Sequence, residues 1–529
     1  MTDRSIVVFI NPPNTGTIPD DLSAENVTTG VQHTDWANFP HLGILSLASY
    51  IEKNSPFSSV YMDGVVCPVA DIASFITENH EKIHAVCVSL ITANYGSGLK
   101  ICEYAKNLDP EIITFAGNDH FSALTQEVMS TSPVLDYGFV GNEIFDPFCR
   151  FLTDVRAQPD INPSNYAGLV CRKDNEIVRV PVATEQIFTD IQYDLLDRFY
   201  PHTEVYTENF QKRLGKRLNQ LLGRDIKRGI PIEFARGCIK FSGDDACSFC
   251  SIQYGGMWRN QVNGSSLAWN MIGDAYKAGY DYLYVTADEL PLTFPKLLLQ
   301  MAAERPDWHL ALPEKEQPVL VGYARADGLQ KEHVVAAMRE VGFRICYVGI
   351  DAGSPLSLMA MNKPLRSKEP MYQAEHMFQA NQQAAENAKR HGIALKLGFV
   401  LGHIGMTQEL LEDNVRSVCD LLDTSNESVV SIDVEMLSPE PGSKDFHRLT
   451  HPKEALAFAS SHNLRLSDES TLNHFAQKYT GCDVFDRDEA IKDYVEAFMP
   501  ELTFKQLTQA RARIRQHAKL RGVVIGDVL

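Results

Sequence analysis

No stretch of the 529 residues approaches the 18 or more consecutive apolar residues of a membrane span. The N-terminus, MTDRSIVVFINPP, has neither a basic region ahead of its short apolar run nor a small-residue cleavage site after it. That run reads as a first β-strand, and the expected location is cytoplasmic, with no membrane partner. Positive charge is in deficit, 49 Lys and Arg against 68 Asp and Glu, for a formal net charge of −19. A polyanion is repelled by phosphate backbones, so nucleic acid is excluded as a general partner. The basic run Lys212–Arg228 reads as a solvated helix face. Fixed-period repeats and low-complexity tracts are missing, and so is a disulfide framework. The 11 cysteines are odd in number and mostly solitary in apolar stretches, as Cys87 in AVCVSL and Cys346 in FRICYVGI. That usage fits a reducing compartment.

What is present is strand–helix alternation on the scale of several domains. In residues 1–155 the β-branched runs Ser5–Ile10, Ser58–Met62, His84–Ser89, Ile112–Ala116 and Asp136–Val140 alternate with amphipathic stretches. Five such units predict an α/β, Rossmann-like domain with a parallel sheet covered on both faces. Ligands of such sheets bind at the carboxyl ends of the strands. Those ends are Asn11-Pro12-Pro13, Ser89-Leu90-Ile91-Thr92, Gly117-Asn118-Asp119-His120 and Gly141-Asn142-Glu143. Residues 156–228 read as a surface connector, with a hairpin around Lys173-Asp174-Asn175 followed by a polar helical segment. A second series over 229–448, with strands at 230–235, 282–286, 319–324, 345–350, 395–401 and 429–435, predicts a (β/α)6 partial barrel. Residues 449–529 read as mainly helical, with Phe475, Tyr479, Phe485, Tyr494 and Phe498 as helix core.

Three cysteines cluster just after the first strand of the second series, in GIPIEFARGCIKFSGDDACSFCSIQ. The spacing is Cys238-x8-Cys247-x2-Cys250. Three thiolates satisfy three irons of a [4Fe–4S] cluster and leave the fourth open to an exogenous ligand. A structural zinc site needs four ligands, yet there is no second cysteine pair, and the nearest histidines in sequence are His202 and His309. A redox Cys-x2-Cys leaves Cys238 without a role. Spacing alone leaves these readings, and chance clustering, open.

Further motifs follow in order. Arg236-Gly237 precedes Cys238 and Phe249 precedes Cys250. Then come Thr286-Ala287-Asp288-Glu289, Tyr323-Ala324-Arg325-Ala326-Asp327, Val348–Ser354 with Met361-Asn362-Lys363, Gly398–Gly402 with Gly405-Met406-Thr407, and Leu437–Ser443. On these motifs residues 230–445 resemble the radical S-adenosylmethionine superfamily, in the group that carries an N-terminal cobalamin-binding domain. Asn11-Pro12-Pro13, Pro40-His41-Leu42-Gly43, Ala116–His120 and Gly141-Asn142-Glu143 extend the resemblance to the first domain.

The resemblance implies three cofactors: a [4Fe–4S] cluster, S-adenosylmethionine and cobalamin. It implies cluster ligation by Cys238, Cys247 and Cys250. Contacts on the S-adenosylmethionine side would come from Phe249, Asp288, Glu289, Arg325, Asp351, Gly398 and Gly402. Asp288 or Glu289 would take the amino group and Arg325 the carboxylate. Cobalamin contacts would come from Asn11, Ser89, Thr92, Gly117, His120, Gly141 and Glu143. It further implies a 5′-deoxyadenosyl radical, a small-molecule substrate methylated at carbon, and an external electron donor of flavodoxin or ferredoxin type. Rearrangement, cyclisation or oxidation would use the same machinery. An RNA-modifying methylthiotransferase is opposed by the acidic charge and the lack of a recognisable C-terminal RNA-binding barrel. A non-enzymatic metal scaffold is opposed by the ordered barrel motifs.

Two departures from the family pattern stand out, beside one feature that agrees with it. The first cysteine gap holds eight residues where the family has three, and Gly243-Asp244-Asp245 would form a bulging turn there. Asp351 and Ala352 replace the family's Glu and Ser. Asp119-His120 do not form the Asp-x-His-x-x-Gly motif, so the lower cobalt ligand is expected not to be a histidine of this domain.

Overall fold

The computed structural model describes residues 4–14, 22, 37–142, 144–157, 161–183, 186–241, 245–252, 259–425 and 427–526. The first sheet contains β1 (Ile6–Asn11), β2 (Ser58–Asp63), β3 (Ile83–Ser89), β4 (Ile113–Gly117) and β5 (Tyr137–Phe139), parallel in the order β2-β1-β3-β4-β5. Every residue of β3, IHAVCVS, is buried, as expected of a parallel strand with helices on both faces. The strand order reverses between β1 and β3, which opens a crevice at their carboxyl ends.

The hairpin read as part of the connector lies on this sheet. β6 (Leu169–Lys173) runs antiparallel to β5, and β7 (Glu176–Arg179) antiparallel to β6. Asp174 and Asn175 take φ of 52° and 64°, the left-handed pair that a two-residue hairpin turn needs. Leu169 and Val170 are fully buried, so the hairpin serves as the sheet's edge and the sheet draws two strands from beyond residue 155.

The polar helical segment also differs from the surface crossing expected of it. Helix His202–Phe210 continues through one π turn (Gln211–Gly215) into Lys216–Leu222. Phe210, Leu214 and Leu218, spaced four apart, pack against Tyr282, Val319, Val321 and Ile345 on one face of the second sheet. Burial of each is worth about 1.5–3 kcal/mol. Lys212, Arg213 and Lys216 do face solvent, and their charges mask the apolar stripe in the sequence.

The second sheet holds β8 (Gly229–Ile232), then, after the short β9 (Ala235–Gly237) and β10 (Arg259–Gln261), β11 (Tyr282–Val285), β12 (Val319–Arg325), β13 (Phe343–Asp351), β14 (Ala394–Leu401), β15 (Val429–Met436) and β16 (Val524–Ile525). All seven are parallel, in the order β8-β11-β12-β13-β14-β15-β16. Six match the expected barrel strands. The seventh, two residues long, comes from the tail read as helical. β9 and β10 pair antiparallel and close the base of the cysteine loop.

Four helices follow residue 450, three of them capped by Asp468, Asp486 and Thr503. Phe475, Tyr479, Tyr494 and Phe498 are buried on helices as expected, whereas Phe485 is buried on the turn between two of them. Among the described residues no helix is long and apolar enough to cross a membrane.

Candidate cofactor site

Two cavities open at the carboxyl ends of the two sheets. The smaller, about 160 Å³, is walled by Cys238, Cys247, Cys250 and Phe249 on one side and by Asp288, Arg325, Tyr323, Tyr347 and Lys363 on the other. The cysteine loop leaves β9 at Gly237 and is tied back at several points. Asn362 Nδ2 donates to the Asp245 and Ala246 carbonyls at 3.3 and 2.8 Å, and Ser248 N to the Met361 carbonyl at 2.9 Å. Lys240 Nζ donates to the Pro364 carbonyl at 2.6 Å. The segment Met361–Pro364 is therefore the anvil on which the loop is shaped, which lets Cys238 and Cys247 share one wall across an eight-residue gap. Of the expected turn there, Gly243 and Asp244 lie outside the described residues.

Burial pushes the Cys238 thiol up to about 11 and the Cys250 thiol up to about 12. Lys240 N donates to Cys238 Sγ at 3.5 Å. All 11 cysteines are unpaired. Among the described residues no three His, Cys, Asp or Glu side chains converge on one point as a single metal ion requires. The three thiols instead line a space, the arrangement suited to a polynuclear cluster whose thiolates each hold a different iron.

The acidic and basic residues divide their work. Asp288 accepts the Gly237 N–H at 2.9 Å and lines both cavities. Glu289, also on the wall of the small cavity, is 1% exposed and accepts from Leu292 N (2.9 Å), Thr293 N (2.7 Å) and Thr293 Oγ1 (2.6 Å). Burial raises its pKa despite these bonds. Arg325 donates Nε and one Nη to Asp327 at 2.9 and 2.8 Å and both Nη to the Lys363 carbonyl at 3.1 Å. Its guanidinium is thus already engaged within the protein. Asp351, at φ 56°, ends β13 in an ion pair with Lys363. Burial acts against the Lys363 ammonium, but Asp351 and Cys247 keep it above the ordinary lysine range.

Gly398 and Gly402 serve the backbone and stand off the wall. A Cβ on Gly398 would sit 2.5 Å from the Tyr347 hydroxyl, and one on Gly402 (φ 96°) 2.9 Å from Met499 Cε. Tyr323 and Tyr347, paired in register on β12 and β13 with rings 5.2 Å apart, form the floor. Neither was expected at the site from the sequence, although the two-residue period back from Arg325 and Gly349 points the same way into the barrel.

The larger cavity, about 570 Å³, lies at the crevice of the first sheet and reaches the barrel. Its deep end is an apolar slot between Phe9, Cys87, Phe115 and Phe139 on the sheet and Ile44 and Phe148 on the covering helices Leu42–Asn54 and Phe145–Asp154. Its rim carries Ser89, Gly117, Asn118, Gly141 and His41, and the opposite wall Glu233, Arg236, Thr286 and Asp288 from the barrel. Arg236 pairs with Glu233 through Nε at 2.6 Å. Ile252 and Asp288 line both cavities, which therefore lie side by side.

Ser89, Gly117 and Gly141 therefore line the crevice as expected, whereas Asn11, Thr92 and His120 do not. Asn11 Nδ2 donates to Asp63 at 2.9 Å. His120, 2% exposed, contacts Thr92 Oγ1 at 3.3 Å and donates Nε2–H to the Asp483 carbonyl at 2.9 Å. Asp483 also accepts from Tyr95 (2.6 Å) and Thr131 (2.7 Å), so the C-terminal region is strapped onto the first domain at the place where His120 was expected to meet a ligand. Glu143 lies outside the described residues.

No protein-family model matches the chain. Among curated proteins it is similar to the anaerobic magnesium-protoporphyrin IX monomethyl ester cyclase of Rubrivivax gelatinosus, 23% identical over 395 residues. That match covers 72% of this chain and 62% of the cyclase, less than two thirds of the relative's length. Among solved structures it is similar to the radical S-adenosylmethionine methyltransferase TsrM from Kitasatospora setae, bound to tryptophan and a S-adenosylmethionine analogue. The TM-score is 0.62 at 15% identity, over 85% of this chain and 76% of that one. It is also similar to the cobalamin-dependent S-adenosylmethionine radical enzyme OxsB, bound to aqua-cobalamin and S-adenosylmethionine, with a TM-score of 0.61 at 12% identity over 88% of this chain and 62% of that one. A Rossmann-like sheet, a parallel partial barrel and a helical C-terminal region give this chain the fold of the cobalamin-dependent radical S-adenosylmethionine enzymes.

Proposed function

We propose that the chain is a cobalamin-dependent radical S-adenosylmethionine enzyme that methylates an unactivated carbon of a small molecule. The observation that carries this reading is the shared wall. A cavity lined by three thiols and a cavity with an aromatic slot and a polar rim meet at Ile252 and Asp288. The donor sets fit the groups. The three cysteines line one cavity, which suits a cluster with one open iron. The slot is deep and apolar enough for a heteroaromatic tail, and Gly117 and Gly141 leave the strand ends bare for close approach.

When bound, the cluster supplies an electron for reductive cleavage of S-adenosylmethionine, and the corrinoid supplies a methyl group for transfer to carbon. The residues of the chain hold and screen these groups. Cys238, Cys247 and Cys250 ligate the cluster. Asp288, on the shared wall, binds the amino group of S-adenosylmethionine. Lys363 and Arg325 balance the negative charge of the thiolates, and Arg325, engaged by Asp327, does so through space. Tyr323 and Tyr347 close the floor and exclude water. Electrons come from an external donor of flavodoxin or ferredoxin type.

A second reading, cyclisation or oxidation without methyl transfer, is favoured by the similarity to the Rubrivivax cyclase. One experiment addresses both. The anaerobically reconstituted protein is given dithionite and S-adenosylmethionine, and 5′-deoxyadenosine and S-adenosylhomocysteine are quantified. Methyl transfer predicts both products, S-adenosylhomocysteine being what S-adenosylmethionine leaves once it has given up its methyl group. Non-methylating chemistry predicts 5′-deoxyadenosine alone. Absence of both products would refute the proposal.

A further inference from the structure

A third cavity, about 290 Å³, opens between helix Pro370–Arg390 and helix Gln408–Ser425, over the carboxyl end of β13. It shares no lining residue with the two cofactor cavities. Ile350 and Ala352 line it, whereas Asp351 between them pairs with Lys363 on the wall of the small cavity, as alternation at a strand end dictates. Its volume is near the lower end of small-molecule sites, about 300 Å³.

A polar side chain within it stands unpaired. Asn381, on the lining, is 7% exposed, and its Oδ1 is buried and meets no donor. Buried amides are almost always hydrogen-bonded, so the position calls for an occupant that supplies the bonds. Whichever way the amide is turned, it offers an acceptor and a donor side by side. Its complement is a donor beside an acceptor on one edge, which adenine presents in its 6-amino group and N7. The walls suit a flat ring: Ile350, Ala352 and Val418 are buried and apolar, and Phe378 and Leu421, half-buried, add apolar surface. Among the described lining residues Asp420 alone carries a charge, and a carboxylate repels a phosphate.

We propose that this cavity binds a purine nucleoside that carries no phosphate, held through its adenine edge by Asn381. The inference goes beyond the cofactor reading and does not depend on it.

The test is equilibrium dialysis of radiolabelled adenosine against the full chain, with inosine and adenosine monophosphate as competitors. Inosine has an oxygen in place of the amino group, so its edge faces the amide with two acceptors. The expected result is that inosine competes about tenfold less well than adenosine, and that Asn381→Leu binds adenosine about tenfold more weakly. Leucine keeps the size of the side chain and leaves no unpaired polar atom, so the thermal midpoint of the ligand-free variant should not fall. A fall would mean that Asn381 is bonded within the protein, and would overturn the proposal. Adenosine binding that survives unchanged in Asn381→Leu would place the nucleoside elsewhere, and no binding at all would leave the cavity to water only. Either result overturns the proposal. Monophosphate binding as tight as that of adenosine would overturn the phosphate-free class.

Discussion

Asp327→Asn is expected to strand the buried guanidinium of Arg325. The guanidinium is 3% exposed and is held edge-on by Asp327, with the Lys363 carbonyl as its other partner. Asp327→Asn removes the counter-charge while leaving a side chain of the same size. A buried cation then faces neutral acceptors only, and breaking such a pair costs about 3–5 kcal/mol. The assay is urea unfolding of the metal-free protein followed by tryptophan fluorescence, to which Trp269 and Trp308, 6.1 Å apart on helices outside the barrel, contribute. At constant m the cost appears as a lower midpoint. Arg325→Met in the Asp327→Asn background removes the stranded charge and should restore most of the loss. A cost below about 1 kcal/mol, or a double variant no more stable than the single, would refute the idea that Asp327 holds Arg325.

The same pair predicts a pH effect: burial opposes the Asp327 carboxylate, but Arg325 outweighs it and holds the pKa below the usual range. A carboxylate depressed in the folded state contributes stability above about pH 4 that is lost as pH falls through that value, so the gap between wild type and Asp327→Asn should narrow in acid titrations below about pH 4. Alanine at Cys238, Cys247 or Cys250 should each abolish the visible iron–sulfur absorbance and 5′-deoxyadenosine formation, whereas Cys346→Ala, deep in the barrel wall, should retain both. Gly398→Ala should drive the Tyr347 ring into the small cavity and cost about 1–3 kcal/mol, read by thermal unfolding. Asp483→Ala cuts the bonds to Tyr95 and Thr131 and should raise the rate of limited proteolysis near residue 480 without loss of iron binding.

The regular parts of this chain were open to reading because parallel strands buried on both faces write themselves as unbroken apolar runs, as in IHAVCVS and FRICYVGI. The cysteine spacing and the ordered barrel motifs located the small cavity for the same reason: they are local. What escaped depends on long-range pairing. Nothing local says that the hairpin at Asp174-Asn175 adds to β5, or that Phe210, Leu214 and Leu218 bury a stripe on a helix whose charges dominate its composition. Glu289 and Arg325 have the right residue types in the right motif, yet Thr293 and Asp327, also within a few residues, take up their polar atoms. His120 stands at the expected strand end, but a turn 363 residues away in sequence occupies it.

The central claim, a cluster with one open iron beside Asp288, is tested most directly by electron paramagnetic resonance of the dithionite-reduced, reconstituted protein before and after S-adenosylmethionine is added. The account predicts about four irons per chain and a reduced-cluster signal that shifts on addition, because the open iron gains a ligand. A signal indifferent to S-adenosylmethionine, or one zinc in place of iron, would contradict it.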